Sequence, residues 1–428
     1  MRRVINVLQE FSVPLIAGVL IAIVWANVAT ESYHNLVHTP VTALWQHGAE
    51  HSAEHASPFD HFLTLHFLAN DILMVLFFGI AAKEITEACL PGGKLTPISN
   101  AVNPLFATVG GVLGPVAVFL GLNALFGSAE WMRGWGIPTA TDIALAWLAA
   151  RLLFGKSHPA VSFLLLLAVA DDAIGLGIIA FGYPDPAHPT EWFHLLWLPP
   201  AMIYAYSMRQ FGVRHWAWYV VPGGVMCWWG LFCAGLHPAL ALVFIVPFLP
   251  APKRDAGLFV ELMEDDGHGH LHAIGHSPLE EFEHSLKSIV DWGLFLFAFA
   301  NAGVTFSAIT GLTWIVLLAM LIGKPLGITA FALLARRLGF PLPTGMSVQD
   351  LIVAGTVASL GLTVALFVSS QAFTGDLQAA AKMGSLFSIS TVLIAWTTKL
   401  FLSAVPAKSE SSGPCQEIDV QLAQIPTA

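Results

Sequence analysis

The chain has 428 residues, of which 56% are hydrophobic and only 11% charged, with a mean hydropathy of +0.71 and a formal net charge of −10. Soluble domains carry roughly 25% charged residues, so this composition excludes a soluble globular protein, and the acidic balance with no basic stripe excludes a nucleic-acid binder. The four cysteines, Cys89, Cys227, Cys233 and Cys415, make neither a disulfide framework nor a Cys-x-x-Cys site and read as packing residues.

Apolar stretches long enough to cross a bilayer recur along the chain. The reading is twelve spans, at 12–30, 60–82, 100–126, 134–151, 159–181, 191–209, 214–229, 231–249, 288–309, 312–335, 348–372 and 380–403. No cleavable signal precedes the first, which is expected to act as an uncleaved insertion signal. With the amino terminus placed in the cytoplasm, all but three of the 18 Lys and Arg residues fall on the cytoplasmic side. Arg133 and Lys382 fall outside, and Lys324 lies within the tenth span. That asymmetry follows the positive-inside rule, and it puts both termini in the cytoplasm.

The domain reading is a single transmembrane unit over 1–404, followed by a polar cytoplasmic tail over 405–428. Two polar segments interrupt the unit. An external loop over 31–59 carries His47, His51 and His55, and a cytoplasmic loop over 250–287 carries His268, His270, His272 and His276. Histidine-rich tracts can bind metal, although neither spacing fixes a tetrahedral site and a solvated loop is the simpler reading.

Two spans are interrupted in a similar way. The fourth contains Gly136-Ile137-Pro138-Thr139-Ala140-Thr141-Asp142, and the eleventh contains Gly355-Thr356-Val357-Ala358-Ser359-Leu360-Gly361-Leu362-Thr363. Backbone freed by a break at membrane depth needs protein groups or cavity water as partners.

Ionisable residues are also placed at mid-membrane depth. They are Asp71 in the second span, Asp142 in the fourth, Asp171 and Asp172 in the fifth, and Lys324 in the tenth. From Pro159 to Asp171, and from Lys324 to Arg336, the helical rise is about 18 Å, near the middle of a ~30 Å hydrocarbon core. Such groups are costly there and mark functional sites by default. One lysine cannot neutralise four carboxylates, so the bundle must hydrate them, protonate them or bind a cation. Adjacent carboxylates on a helix diverge by about 100°, so Asp171 and Asp172 are fitted to different tasks. Oxygen ligands suit a hard cation, and a site that holds either a cation or a proton meets the elementary requirement of an antiporter.

These residues resemble the NhaA family of sodium/proton antiporters. The resemblance runs from Phe11 to Leu402. It is carried by Asn70-Asp71, by Ala140-Thr141-Asp142-Ile143-Ala144 and by Ala170-Asp171-Asp172. It continues in Phe297-Ala298-Phe299-Ala300-Asn301-Ala302-Gly303-Val304, Ile322-Gly323-Lys324-Pro325-Leu326-Gly327-Ile328 and Gly361-Leu362-Thr363. It implies an all-α polytopic fold of twelve helices with inverted repeats, in which spans four and eleven are unwound and cross near the midplane. Interrupted spans mark ion sites in secondary transporters generally, NhaA being one of the proteins from which that rule is drawn.

The resemblance also implies that Na⁺ is bound at Asp172 with Asp171 and exchanged there for a proton, Asp171 pairing with Lys324, while Thr141 and Asp142 complete the crossing and Asp71 supports the site. It implies electrogenic, alternating-access export of Na⁺ or Li⁺ for sodium and pH homeostasis from a bacterial inner membrane, by a homodimer. No cofactor, enzyme activity or nucleic-acid partner is expected.

Departures fall among the residues that regulate the family. Where the family has an acidic residue before the lysine of span two, this chain reads Ala82-Lys83-Glu84. Where the family has two histidines, it reads Glu283-His284-Ser285-Leu286-Lys287, and Pro238 follows His237. Lys83, Glu84, His237, Glu283 and His284 are the candidate pH-sensing residues, and the cytoplasmic histidine loop is a substitute sensor, since imidazole titrates between pH 5 and 8. Two other readings stand beside this one. A heavy-metal cation/proton exporter would need imidazole or thiolate ligands in the membrane. An intramembrane aspartyl hydrolase would need two carboxylates converging on one bond, where adjacent ones diverge.

Overall fold

The computed structural model describes residues 13–40, 64–90, 93, 98–183, 191–251, 263–265, 271–273 and 277–404. Both histidine tracts lie largely outside these residues, as do the 405–428 tail and the arginines at positions 2 and 3. What is described is mostly helical. The chain opens with α1 (Val13–Val28) and α2 (Thr30–His38), and α3 (Met74–Cys89) extends a short helical turn and a π-helical segment, Leu68–Leu73. Next come α4 (Ile98–Phe126), α5 (Ile143–Phe154), α6 (Pro159–Gly182), α7 (Leu198–Gln210) and α8 (Ala217–Cys233). After them lie α9 (Pro278–Asn301), α10 (Gly311–Leu318), α11 (Lys324–Arg337) and α12 (Val348–Ala358). The last three are α13 (Thr363–Ala372), α14 (Gly375–Phe387) and α15 (Thr391–Ala404). The one strand pair among the described residues, Met263–Asp265 against Leu271–Ala273, is antiparallel.

Five helical stretches are long and apolar enough to cross a membrane, and seven if each of two sharply bent pairs counts as one. The chain is thus a polytopic membrane protein. Several boundaries differ from the sequence reading. The stretch read as 231–249 is not one helix: α8 runs on to Cys233 and closes through Gly235 at φ 71°, and a short 3₁₀ helix, Pro238–Phe244, follows. The stretch read as starting at 288 begins at Pro278, where Ser277 and Glu280 form a capping box that fixes the helix start in what was taken as loop. Lys382, assigned to the external side, is buried at 6% exposure.

One packing contact sets the position of the tenth-span lysine. Helix α4 meets α11 and the residue before it through Gly110 and Gly114 on one side and Gly323 and Gly327 on the other. A Cβ on Gly327 would stand 2.0 Å from the Gly110 carbonyl oxygen, and one on Gly114 would stand 2.2 Å from that of Gly323. Lipid supplies no hydrophobic drive between helices, so small residues that bring backbones together become the means of adhesion. Asn103 fastens the same pair, its amide donating to the carbonyls of Ala332 at 3.1 Å and Phe340 at 2.8 Å. The first residue of α11 is Lys324, and the close approach at Gly323 fixes where its side chain starts.

Candidate functional site

The first bent pair runs from a 3₁₀ helix, Ala129–Thr139, into α5 at 54°, and the second from α12 into α13 at 50°. Local sequence explains the first. Pro138 withholds a donor, and Asp142 adopts extended backbone and caps α5, its Oδ1 accepting from the Leu145 N–H at 3.1 Å. In the second, residues Ser359–Leu362 leave the helix.

The two breaks lie against each other. The Asp142 N–H donates to the Leu360 carbonyl at 2.7 Å, and the Thr141 hydroxyl donates to the Ala358 carbonyl at 3.0 Å. The Thr363 hydroxyl and N–H donate to Asp142 Oδ2 at 2.5 and 3.3 Å. Gly361 permits the approach, since a Cβ there would fall 2.5 Å from the Ala140 carbonyl oxygen. Several freed backbone groups of each break are thereby satisfied by the other, and the Gly361 carbonyl accepts from the Ser388 hydroxyl at 3.1 Å, as burial requires.

Charges are placed to match. The N-terminal ends of α5 and α13 carry partial positive charge, and Asp142 accepts from both. The carboxyl end of the 3₁₀ helix carries partial negative charge, and the Lys324 ammonium donates to its last carbonyl, that of Thr139. Lys324 also pairs with Asp171 Oδ2 at 2.9 Å, the two side chains being 0% and 2% exposed. One lysine thus ties α11 to the break and to α6.

Asp172 is in different surroundings. It is half-buried, none of the described side chains bonds to its carboxylate, and Asp171, Glu84, Asp142 and Lys324 lie within electrostatic reach. Asp71 is half-buried on the π-helical Leu68–Leu73 segment, its backbone carbonyl accepting from the Trp228 indole at 3.3 Å. A second π-helical segment, Ala319–Gly323, directly precedes Lys324. Such segments inside α-helices frequently fall at functional sites.

The structure therefore brings Thr141, Asp142, Asp171, Asp172 and Lys324 into one neighbourhood. The candidate pH-sensing residues are not one cluster. Lys83 is buried between Glu87, at 2.7 Å, and Glu283, which joins α3 to α9. His284 is exposed on the next position of α9. His237 caps the Pro238–Phe244 turn, its Nδ1 accepting from the Ala239 N–H at 3.2 Å, and meets the Phe367 ring edge-on at 4.6 Å.

Sequence reading missed three residues. Glu87 was legible as a partner for Lys83 from the i,i+4 spacing. Thr363 and Asn301 lie in segments that carry the family resemblance, but no local signal pairs Thr363 with Asp142 or makes Asn301 a junction. Asn301 donates to Asn70 Oδ1 at 3.1 Å and accepts at its own Oδ1 from Lys382 at 3.1 Å and Ser370 at 3.2 Å. Among the described residues, no three His, Cys, Asp or Glu side chains converge as a metal-holding group.

Crossed, charge-compensated helix ends and a buried lysine–carboxylate pair inside apolar helices define a polytopic membrane protein with an ionisable interior centre. The profile of the family described as Na⁺/H⁺ antiporter 1 matches residues 2–400. Curated relatives named Na⁺/H⁺ antiporter NhaA include one from Desulfitobacterium hafniense, 54% identical over 92% of this chain and 95% of its own length. Another, from Geobacter sulfurreducens, is 53% identical over 92% and 97%, and one from a Jannaschia species is 43% identical over 92% and 96%. The chain belongs to this Na⁺/H⁺ antiporter family, whose members are transporters and not enzymes.

Proposed function

We propose that this protein is a sodium/proton antiporter that exports Na⁺, and Li⁺ by the same chemistry, in exchange for entering protons. The observation that carries the reading is the unequal treatment of two adjacent carboxylates. Asp171 is held by Lys324, while Asp172, one residue on, has no described side chain bonded to it and stands beside the crossed breaks. A carboxylate that can take a hard cation or a proton, and not both, couples the two fluxes without further machinery.

In this reading Asp172 carries the ion with Asp171, and Lys324 holds Asp171 in the cation-free state. When Na⁺ draws on both carboxylates, the Lys324–Asp171 pair separates, and reprotonation restores it. Asp142 and Thr141 keep the crossed helix ends together, and Asp71 lines the approach. The fold is one transmembrane domain over 1–404 with twelve spans. The two bent pairs are its interrupted spans four and eleven, crossing near the midplane, and both termini are cytoplasmic. Export is electrogenic, by alternating access, in the inner membrane of a bacterium, where it serves sodium and pH homeostasis. The working unit is a homodimer. Lys83, Glu84, Glu283 and His284, on the cytoplasmic side, and His237, placed apart from them, are the residues through which pH acts, supported by the buried Lys83 pairings and by the electrostatic reach of Glu84 to Asp172.

The test is proton movement in proteoliposomes on adding Na⁺, Li⁺, K⁺ or Zn²⁺. Wild type responds to Na⁺ and Li⁺, and Asp172→Asn does not. A silent wild type, or an unchanged variant, overturns the reading, and a response to Zn²⁺ alone favours a metal exporter.

A further inference from the structure

Lys382 has no part in the exchange between Asp171, Asp172 and Lys324. It is a buried lysine, and among the described residues no carboxylate pairs with it. Its ammonium donates to Asn301 Oδ1 at 3.1 Å, and Asn301 in turn donates to Asn70, the neighbour of Asp71. An ammonium buried without a counter-charge is expensive, so its retention needs a reason.

A row of imidazoles leads to it from the surface. His34 and His38, one turn apart on α2, stack at 5.3 Å between ring centroids, and His38 stacks on His66 at 5.3 Å. Exposure falls along the row, from exposed His34 and His38 to half-buried His66. The His66 carbonyl then accepts from the Asn70 amide at 3.0 Å. Lys382 acts electrostatically on both His38 and His66. Stacked rings direct their nitrogens outward from the stack rather than toward one point, so the row is unsuited to a shared metal ion and suited to exchanging protons with water.

We propose that His34, His38 and His66, backed by Lys382, form the external proton-uptake port of the exchanger, through which protons and not sodium gain the Asn70–Asp71 end of the transport path. This rests on the antiport reading and on its orientation, in which α2 lies outside. The imidazoles collect protons from the external solution and release them to water above Asn70. In its protonated form Lys382 supplies the positive charge that keeps Na⁺ from returning by the same route. The His38 imidazole is held below its usual value, first by partial desolvation and then by the neighbouring His34 and Lys382. Among the described residues, the other ionisable groups on elements packed here are Glu31, Tyr33, Asp71, Glu130, Arg133 and Asp376. The facing ends of α9, α10 and α13 carry none.

The test uses the full chain in right-side-out membrane vesicles loaded with Na⁺, with external pH varied. His38→Gly and His66→Gly should slow exchange at external pH 8 by at least about tenfold while leaving the rate at pH 6 and the internal Na⁺ needed for half-maximal rate unchanged. External imidazole should restore the lost rate, which a merely structural defect would not allow. Lys382→Gln should make exchange sensitive to inhibition by external Na⁺. An unchanged external-pH profile in the triple His34, His38, His66→Gln variant overturns the proposal, as does loss that imidazole does not rescue, or a shifted internal Na⁺ requirement. Wild-type vesicles with no Na⁺-dependent proton movement would instead overturn the antiport reading itself.

Discussion

Removing one partner of the Lys324–Asp171 pair should cost far more than removing both. The pair is 2.9 Å apart with side chains 0% and 2% exposed, so neither charge has water to fall back on. Breaking a pair so buried costs about 3–5 kcal/mol, because the survivor is left uncompensated, whereas replacing both partners by neutral side chains is often close to neutral. Lys324→Met also takes the donor from the Thr139 carbonyl, a further cost of about 1–3 kcal/mol that remains in the double variant. The Asp171→Asn, Lys324→Met double variant should therefore be more stable than Lys324→Met alone, and the two single-variant costs should together exceed that of the double by about 6–10 kcal/mol. A double-mutant cycle by equilibrium unfolding in mixed micelles measures this. Effects that add to within about 0.5 kcal/mol would refute the pairing as an energetic unit.

Thr363→Val removes the hydroxyl that donates to Asp142 and should cost about 1.5–3 kcal/mol, read in the same unfolding assay, while Thr363→Ser recovers most of it. Gly327→Ala drives a methyl into the Gly110 carbonyl and should lower both yield and exchange rate by displacing Lys324, whereas Gly339→Ala, at φ 97° in open space, should strain only its own turn. Glu283→Gln should leave Lys83 with Glu87 and shift the cytoplasmic pH dependence of exchange, and an unmoved profile would remove Lys83 from pH control. Deleting Asp265 to His276 should shift that same profile if the cytoplasmic histidines sense protons, with an unchanged profile discarding them.

The sequence by itself determined the class and the principal candidates. Apolar stretches of spanning length, with Asp142, Asp171, Asp172 and Lys324 inside them, needed only the cost of a charge in hydrocarbon to be recognised. Pro138 and Gly361 marked where two helices break, because one lacks a donor and the other lacks a Cβ. The spacing also separated Asp171 from Asp172 by direction, and depth alone made Lys324 a candidate partner.

Only the tertiary structure decided which partners meet. That Lys324 reaches Asp171 and the Thr139 carbonyl depends on four glycines bringing α4 and α11 together, residues over 200 positions apart in the chain. That Thr363 bonds Asp142 depends on two breaks lying against each other. Lys382 reads as an ordinary external lysine until Asn301, from another helix, closes over its ammonium. Periodicity and depth are local properties that a sequence carries, whereas a counter-charge or its absence is a property of neighbours that only packing assembles.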